Sequence, residues 1–267
     1  MKAFYAGCLF FLMLMAACTN NTDVNNNNSN NVDEPTTPTL THTVVATYPH
    51  DTSSFTQGLS FYNGQLLEGT GNKGASRLMQ VDLATGKALK KVDLPPTLFG
   101  EGIVVLNDTL YQLTWQEKVV LVYNAKTFEK IGELPLGTEG WGITTDSTNL
   151  IVTDGSNNLY FYEPKTFRLL RTQSVTDAGS PAVNLNELEF IKGYLYANQY
   201  QYPYILKIDP QSGQVVAKLD LTELTKRAKA LYGGADVLNG IAYNPETDKI
   251  YVTGKWWPEL YEIAFPH

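Results

Sequence analysis

The sequence predicts an all-β protein, specifically a five-bladed β-propeller with one short inserted helix. Three observations support this fold class. From residue 41 onward, short apolar runs alternate with polar residues at the two-residue period of β-strands. A turn phrase recurs about every 40 to 50 residues, the length of one four-stranded blade. A second phrase, at the start of each unit, occurs five times.

The turn phrase is a strand that ends in an acidic or amide residue, followed by a tight turn and another strand. It occurs four times, at residues 81–86 (VDLATG), 123–128 (YNAKTF), 162–167 (YEPKTF) and 208–213 (IDPQSG). A fifth strand of this type, residues 260–263, reaches the C-terminus before a partner can follow. Residues 41–48 (THTVVATY) are predicted to supply that partner and so to close the ring.

One segment departs from the strand pattern. Residues 221–232 (LTELTKRAKALY) consist mainly of good helix formers without strand alternation, and Gly233 and Gly234 can end a helix there. We therefore predict a short helix immediately before the inner hairpin of the last blade.

Composition limits the classes of function. Of 267 residues, 43% are apolar, which suffices for a large core, and the net charge of −7 without a long basic run argues against a nucleic-acid partner. His42, His50 and His267 are too few and too scattered for a multi-histidine zinc site. The chain has no cysteine after Cys18, which excludes thiol chemistry in the folded domain. We expect neither a metal nor a cofactor.

The N-terminus has the features of a bacterial lipoprotein signal peptide. Residues 1–17 combine Lys2 with an apolar run too short to span a bilayer, and two alanines precede Cys18 as in a lipobox. We expect Cys18 to be lipidated and residues 18–40, rich in Asn, to form a disordered tether. Residues 41–267 would form the catalytic domain, secreted across the inner membrane and lipid-anchored in the cell envelope.

The phrase at the start of each unit indicates a binding site. Its first residues are Gln57, Glu101, Trp141, Asn186 and Asn239. The strands that return from these positions end near Glu68, Trp115, Asp154, Tyr200 and Lys255. Because the start of one strand and the end of its antiparallel partner lie at the same sheet edge, all ten positions should meet at one mouth of the central channel. Polar and aromatic side chains gathered there indicate a ligand-binding site.

Eight motifs at or near these positions carry a family resemblance. They are residues 55–59 (FTQGL), 68–71 (EGTG), 99–102 (FGEG), 113–115 (LTW), 139–142 (EGWG), 186–189 (NELE), 238–242 (LNGIA) and 252–255 (VTGK). In this order they resemble the plant-type glutaminyl-peptide cyclotransferases, a family with bacterial members. The resemblance implies a five-bladed propeller that converts the N-terminal glutamine of peptides or proteins to pyroglutamate, releasing ammonia, without the zinc of the animal-type enzymes. Tyr200 stands where the family pattern has Trp.

The reaction assigns roles to the candidate residues. The substrate's α-amine attacks its own side-chain amide carbon, so a proton must leave the amine, another must reach the departing nitrogen, and the oxyanion needs donors. We expect Glu101 to shuttle the proton and Lys255 or an amide N–H to face the oxyanion. Gln57 and Asn186 complete the expected catalytic set. The substrate-binding residues are predicted to be Phe55, Phe99, Trp115, Trp141, Tyr200, Asn239 and Glu68.

The protonation state of Glu101 is left open by the sequence. Its aromatic neighbours Phe99, Trp115 and Trp141 would raise the pKa of this carboxyl by desolvation. Lys255 would lower the same pKa by favouring the charged form. Residue identities alone do not decide which effect is larger.

Two other functions remain compatible with the sequence. A non-catalytic propeller tethered to the envelope would bind peptides or glycans with the same aromatic mouth, but it would need no proton shuttle beside a lysine. A metal-dependent hydrolase or lactonase would need a coordinating cluster, for which Glu68, Asp154 and Glu187 are the candidates. Because a closed propeller leaves no sheet edge to cover, we expect a monomer.

Overall fold

The structure is a computed structural model that describes residues 36–267. The predicted signal peptide, Cys18 and most of the predicted tether lie outside these residues. The described part of the chain forms five antiparallel sheets of four strands, one of which gains a fifth, parallel strand. This arrangement is a five-bladed β-propeller and confirms the predicted fold class. No helix within residues 36–267 has the length and apolar character needed to cross a lipid bilayer.

The first three blades follow two N-terminal strands, and each blade is built outward from the axis in chain order. The N-terminal strands are β1 (Thr39–Leu40) and β2 (Thr43–Pro49). Blade I contains β3 (Thr56–Tyr62), β4 (Gln65–Thr70), β5 (Arg77–Asp82) and β6 (Lys87–Asp93). Blade II contains β7 (Gly100–Leu106), β8 (Thr109–Thr114), β9 (Val119–Asn124) and β10 (Lys130–Pro135). Blade III contains β11 (Ile143–Thr145), β12 (Leu150–Val152), β13 (Asn158–Tyr162) and β14 (Leu169–Ser174).

The remaining elements complete the ring. A small hairpin, β15 (Thr176–Asp177) and β16 (Ser180–Pro181), precedes blade IV. Blade IV contains β17 (Leu185–Ile191), β18 (Tyr194–Gln199), β19 (Tyr204–Ile208) and β20 (Val215–Asp220). Helix α1 (Thr222–Leu231) comes next, and blade V contains β21 (Leu238–Asn244), β22 (Lys249–Gly254) and β23 (Glu259–Ala264). Strand β2 is the outer strand of blade V, as predicted, and α1 lies at the predicted place in the chain.

The end of the predicted tether is ordered, which corrects the boundary at residue 40. Thr39 and Leu40 form β1, which pairs in parallel with the outer strand of blade IV. The amide of Lys218 donates to the carbonyl of Pro38 (2.8 Å), and Leu40 packs against the core between blades IV and V. The short segment therefore covers an otherwise open sheet edge. Its Thr and Pro residues carry no strand alternation from which this pairing could be predicted.

The hydrophobic core lies between neighbouring blades. Val104 and Val120 of blade II, for example, pack with Ile143 and Val152 of blade III. Because both faces of each middle strand are covered, strands such as β9 are almost continuously apolar. Helix α1 adds only one apolar face to this core, through Leu224 and Ala228.

The recurring turn phrase has a common hydrogen-bonding pattern. In each copy, the side chain of the acidic or amide residue accepts the backbone N–H two positions further on. The four acceptors are Asp82, Asn124, Glu163 and Asp209. The last residue of each phrase has a positive φ, and where it is not glycine it is Phe128 (60°) or Phe167 (54°). Both rings are buried, so packing offsets the backbone strain.

Every outer strand carries a β-bulge within its first three residues. The register of each outer pair skips one residue, and that extra residue is apolar and exposed in all five blades. The extra residues are Val45, Leu89, Ile131, Leu170 and Val216. A bulge bends and twists an edge strand, which hinders pairing with a second sheet. These bulges explain how the ring can keep five apolar residues exposed on these strands.

The inner strands approach one another so closely that side chains are excluded at the axis. A Cβ added to Gly58 would lie 2.5 Å from the amide nitrogen of Ile103, and one added to Gly142 would lie 2.1 Å from the carbonyl oxygen of Asn186. Blade IV has Glu187 at this level instead of glycine. Its carboxylate accepts the amides of Leu59 (3.2 Å) and Ile241 (2.8 Å), and so joins blades I, IV and V.

We expect Glu187→Gln to lower the free energy of unfolding by about 1–3 kcal/mol, because a side-chain NH2 would face one of the two backbone amides and leave it unpaired. Urea denaturation followed by circular dichroism measures this change. Glu223→Gln, on the exposed surface of α1, is the matched control and should change stability by less than about 0.5 kcal/mol. Equal stability of the two variants would contradict the role given to Glu187.

Candidate active site

β-bulges in the inner strands determine where the candidate polar side chains point. In β3, Gln57 is an extra residue between the pairs Thr56–Thr70 and Gly58–Gly69. In β7, β17 and β21, two residues oppose one on the partner strand, and the first of the two is Glu101, Asn186 or Asn239. Bulges re-aim side chains and are frequent beside active sites. They explain why these polar groups leave the alternating pattern of the blade.

A cavity of about 280 Å³ opens where these bulges meet. All but two of the site residues predicted from the sequence line it, and Asn72 is the one addition. The lining residues are Phe55, Gln57, Asn72, Phe99, Glu101, Trp115, Trp141, Asn186, Tyr200 and Lys255. The structure thus brings together residues from four blades and the turn after the fifth blade's second strand. Asn239 and Glu68 are the two predicted site residues that do not line the cavity, and Asp154, the third of the ten mouth positions outside it, lies beyond the lining as well.

Asn239 lies behind the cavity wall. Its Nδ2 donates to Oε1 of Gln57 (3.2 Å) and to the carbonyl of Thr56 (3.0 Å), and its side chain is fully buried. Gln57 in turn donates from Nε2 to Oε1 of Glu101 (3.2 Å). Both ends of the Gln57 amide are therefore occupied, and the chain of donors orients Glu101. The predicted position of Asn239 in the substrate-binding wall is corrected accordingly.

Glu68 is also displaced from its predicted place at the mouth. The returning strand of blade I, β4, ends just before Gly71. The amide of Trp115 bonds the carbonyl of Phe99, and in the same way the amide of Gly71 bonds the carbonyl of Phe55. Three residues earlier, Glu68 is buried and accepts from Thr56 Oγ1 (2.7 Å) and His50 Nε2 (3.1 Å). Glu68 pairs with Leu59, as Gln112 pairs with Ile103 in blade II, so it lies within the blade and not at the end of the returning strand.

His50 joins the loop before blade I to the turn that carries Lys255. Its Nδ1 bonds the carbonyl of Trp257 (2.7 Å), while its Nε2 faces Glu68. Burial acts to lower the pKa of His50, but the charge and hydrogen bond of Glu68 and the carbonyl outweigh it, so that the pKa is raised. Two acceptors on one imidazole favour the doubly protonated ring.

The structure decides the protonation tendency of Glu101. Burial raises its pKa well above the usual value for a glutamate, and Lys255 opposes this shift only in part. The charges of Glu117 and Glu139 raise the pKa further. Glu101 is therefore predisposed to hold a proton at a pH where an exposed carboxyl would have lost it.

Lys255 is shifted in the opposite direction. Burial lowers its pKa, whereas the charges of Glu101 and Asp236 act to raise it. Its ammonium lies 4.5 Å from the ring centroid of Phe55 and 5.2 Å from that of Tyr200, within the range of cation–π attraction. The residue is a buried cation held between aromatic faces at the edge of the cavity.

The aromatic wall consists of two arrays. In one, Trp115 packs on Phe99 with ring centroids 5.5 Å apart, Phe99 on Phe55 at 6.2 Å, and Phe55 on Trp256 at 4.6 Å. In the other, the rings of Trp141 and Tyr200 meet edge to face at 5.5 Å. Sequence analysis missed Trp256, which supports Phe55 from outside the cavity. Its place directly after Lys255 was the available signal.

Two asparagine side chains line the cavity. Oδ1 of Asn186 is buried and has no hydrogen-bond partner in residues 36–267. Asn72, on the loop after β4 with φ of 83°, adds a second amide to the lining. Buried unpaired polar atoms are costly, so Oδ1 of Asn186 is suited to bonding a polar ligand. Asn72 lies outside the recurring phrases, which is why sequence analysis did not find it.

The metal-cluster hypothesis is not supported. Residues 36–267 contain no group of three or more His, Cys, Asp or Glu side chains able to hold a metal ion. The carboxylates proposed for it have other partners. Glu68 is bonded to His50, Asp154 accepts from Tyr160 (2.9 Å), and Glu187 accepts two backbone amides.

Replacing Lys255 by Met should raise the pKa of Glu101 further, because the one positive charge that acts on it within the described chain is removed. Lys255→Arg keeps the charge and should leave this pKa closer to the wild-type value. Carbon-13 NMR titration of the glutamate carboxyls, with Glu101 assigned by Glu101→Gln, measures the change. A lower pKa in Lys255→Met would contradict the electrostatic description.

Comparisons with known proteins agree with this geometry. The family model described as glutamine cyclotransferase matches residues 11–265. A glutaminyl-peptide cyclotransferase of Arabidopsis thaliana is 38% identical over 225 residues, which is 82% of this chain and 70% of that protein. The crystal structure of Myxococcus xanthus glutaminyl cyclase superposes with a TM-score of 0.81 at 33% identity, over 86% of this chain and 98% of the other. The chain belongs to the glutamine cyclotransferase family.

Proposed function

We propose that this protein is a glutaminyl-peptide cyclotransferase that converts the N-terminal glutamine of peptides or proteins to pyroglutamate and releases ammonia. The observation that carries the proposal is Glu101, a buried carboxyl with a raised pKa, set in an aromatic cavity beside Lys255. Its membership of the family and the names of its relatives support the same reaction.

The cavity suits a glutaminyl residue bent toward its own amine. Trp115 and Trp141 would enclose the aliphatic part of the side chain, while Oδ1 of Asn186 would accept an N–H from the substrate amine or amide. Holding the bent conformer brings amine and amide carbon together within one molecule, which supplies much of the gain in orientation. The aromatic walls also keep water away from the reacting groups.

Glu101 would move the proton that the reaction must transfer. As the α-amine forms its bond to the side-chain amide carbon, Glu101 in its charged form takes a proton from the attacking nitrogen. It then gives a proton to the amide nitrogen as that carbon–nitrogen bond breaks, so ammonia leaves and Glu101 returns to its starting state. A raised pKa brings the carboxyl nearer to the operating pH, where both transfers are effective.

Lys255 and Gln57 would support this transfer. The Lys255 ammonium is the cationic group of the cavity and would stabilise the oxyanion of the tetrahedral intermediate. Gln57 donates to Oε1 of Glu101. Oε2 of Glu101 would then be directed to the substrate. In this assignment Gln57 positions the shuttle and does not bind substrate itself.

A binding propeller would explain the aromatic walls but not the buried acid. Burial of Glu101 next to two further carboxylates disfavours its charged form, an arrangement that a binder of neutral peptides or glycans would not need. We also propose that no metal takes part, because the cavity offers one carboxylate and no histidine. EDTA treatment would then leave turnover unchanged.

Glu101→Gln should fold normally and lose at least about 99% of turnover on a Gln-initiated dipeptide, because removing a general acid–base typically costs 10²-fold to 10⁴-fold in rate. Coupled-enzyme detection of ammonia measures the rate, and circular dichroism checks the fold. The N-acetylated dipeptide, which lacks a free amine, is the substrate control and should release none. Near-full activity of Glu101→Gln would remove it from the mechanism.

We further propose that Cys18 anchors the protein to a membrane of the cell envelope. In the native bacterial host, Cys18→Ser should move the protein from the membrane pellet to the soluble fraction, since it lacks the acyl chains needed for stable anchoring. Ultracentrifugation and immunoblotting measure the distribution. Cys8→Ser, at the only other cysteine, is the matched control. Retention of Cys18→Ser in the pellet after a high-salt wash would contradict the anchor.

A further inference from the structure

The two aromatic arrays of the cavity share one polar partner, Glu139. Its Oε2 accepts the indole N–H of Trp115 at 2.9 Å and that of Trp141 at 3.5 Å. Glu139 is only partly exposed and does not line the cavity itself. It therefore stands behind the wall, with one carboxylate oxygen between the two indoles that flank the substrate space.

The position of Glu139 affects more than the two tryptophans. Trp115 supports Phe99, whose ring is 5.5 Å away, and Trp141 meets Tyr200 at the same distance. A shift of either indole would therefore change the width of the cavity that Glu101 also lines. In packed aromatic sites, such displacements alter how well a bound residue is oriented for reaction.

The backbone holds Glu139 in place. The amide of Gly140 lies 3.2 Å from the carbonyl oxygen of Thr114 and 3.3 Å from that of Trp115, so the connection between blades II and III is bonded to the end of β8. A Cβ at Gly140 would lie 2.5 Å from the carbonyl oxygen of Thr114. Only glycine permits this approach, which brings the Glu139 carboxylate to the Trp115 indole.

We propose that Glu139 is a positioning residue for the cyclisation: its carboxylate holds Trp115 and Trp141 at the separation that fits a glutaminyl residue. The inference rests on the proposed function. The charge of Glu139 supports this assignment. Burial is the largest cause of the raised pKa of Glu101, and the charges of Glu117 and Glu139 raise this pKa further, whereas Lys255 lowers it.

Three variants separate the contact of Glu139 with the indoles from the effect of its charge on Glu101. Glu139→Gln keeps an acceptor oxygen for the indoles but removes the charge, whereas Glu139→Leu removes both. Glu117→Gln is the matched control, because Glu117 also acts on Glu101 but bonds the amide of Phe99 and the ammonium of Lys73 and neither indole. Each variant is assayed for ammonia release from a Gln-initiated dipeptide across pH.

We expect Glu139→Leu to raise KM about five-fold to ten-fold, the equivalent of roughly one lost hydrogen bond, and Glu139→Gln to restore KM to within about two-fold of the wild type. In Glu139→Gln and Glu117→Gln, the acid limb of the kcat/KM profile should move to lower pH, because removal of a like charge lowers the pKa of Glu101. A purely structural role of Glu139 would produce neither the rescue by Gln nor this shared shift.

Nitrogen-15 NMR of the tryptophan indoles gives a readout independent of activity. Two of the four indole signals, assigned with Trp115→Phe and Trp141→Phe, should shift in Glu139→Leu and exchange faster with solvent. The signal of Trp257, whose Nε1 donates to the carbonyl of Asp236 (2.9 Å), is the internal reference and should stay unchanged.

The outcomes are distinguishable. Unmoved Trp115 and Trp141 signals, or a Glu139→Leu variant with KM and kcat within two-fold of the wild type, would overturn the inference. If Glu139→Leu does not fold, the pH profile of Glu139→Gln decides, and absence of the shift seen in Glu117→Gln overturns it. A wild-type protein that releases no ammonia would refute the proposed function and with it the catalytic role, whereas the indole signals would still report on the contact.

Discussion

The close approach of five inner strands at the propeller axis is the constraint on which the rest of the structure depends. At Gly58 and Gly142 the neighbouring backbone lies where a side chain would be, so the strands can meet. Their free amides still need acceptors, because they are buried. Glu187 supplies two of these acceptors, and the amide of Gly102 bonds directly to the carbonyl of Trp141 (2.9 Å). Asn198 and Thr153 accept the amides of Gly240 and Gly142, so the axis is closed by backbone and side-chain acceptors together.

This closure creates the site at the mouth. The inner strands form bulges where they leave the crowded axis, and the bulged positions hold Gln57, Glu101 and Asn186. Their side chains turn away from the blades into a common cavity, where the aromatic residues exclude water. Ring closure and site formation thus have the same cause, and a change that loosens the axis would also disturb the positions of the polar groups.

The electrostatics of the cavity follow from the same packing. Burial disfavours charge on both Glu101 and Lys255, and each residue partly restores the charged form of the other. Glu117 and Glu139 add negative charge around Glu101, while the aromatic rings around Lys255 supply cation–π attraction. One small cavity therefore contains an acid, Glu101, and a cation, Lys255, and the pKa values of both are perturbed. Such a pairing is suited to proton transfer more than to the binding of a neutral ligand.

The sequence by itself determined the number of blades, the closing strand, the inserted helix and most of the residues that line the cavity, because strand alternation and repeated turns are local properties. It did not determine that Glu68 and Asn239 lie outside the cavity lining. Glu68 pairs with Leu59 inside blade I, and Asn239 bonds Thr56 and Gln57 of the neighbouring blade. Nor could the sequence decide the direction of the pKa shift of Glu101 or the place of Glu139 between two indoles. Desolvation and hydrogen bonds between blades depend on residues far apart in the chain, and only the tertiary structure brings them together.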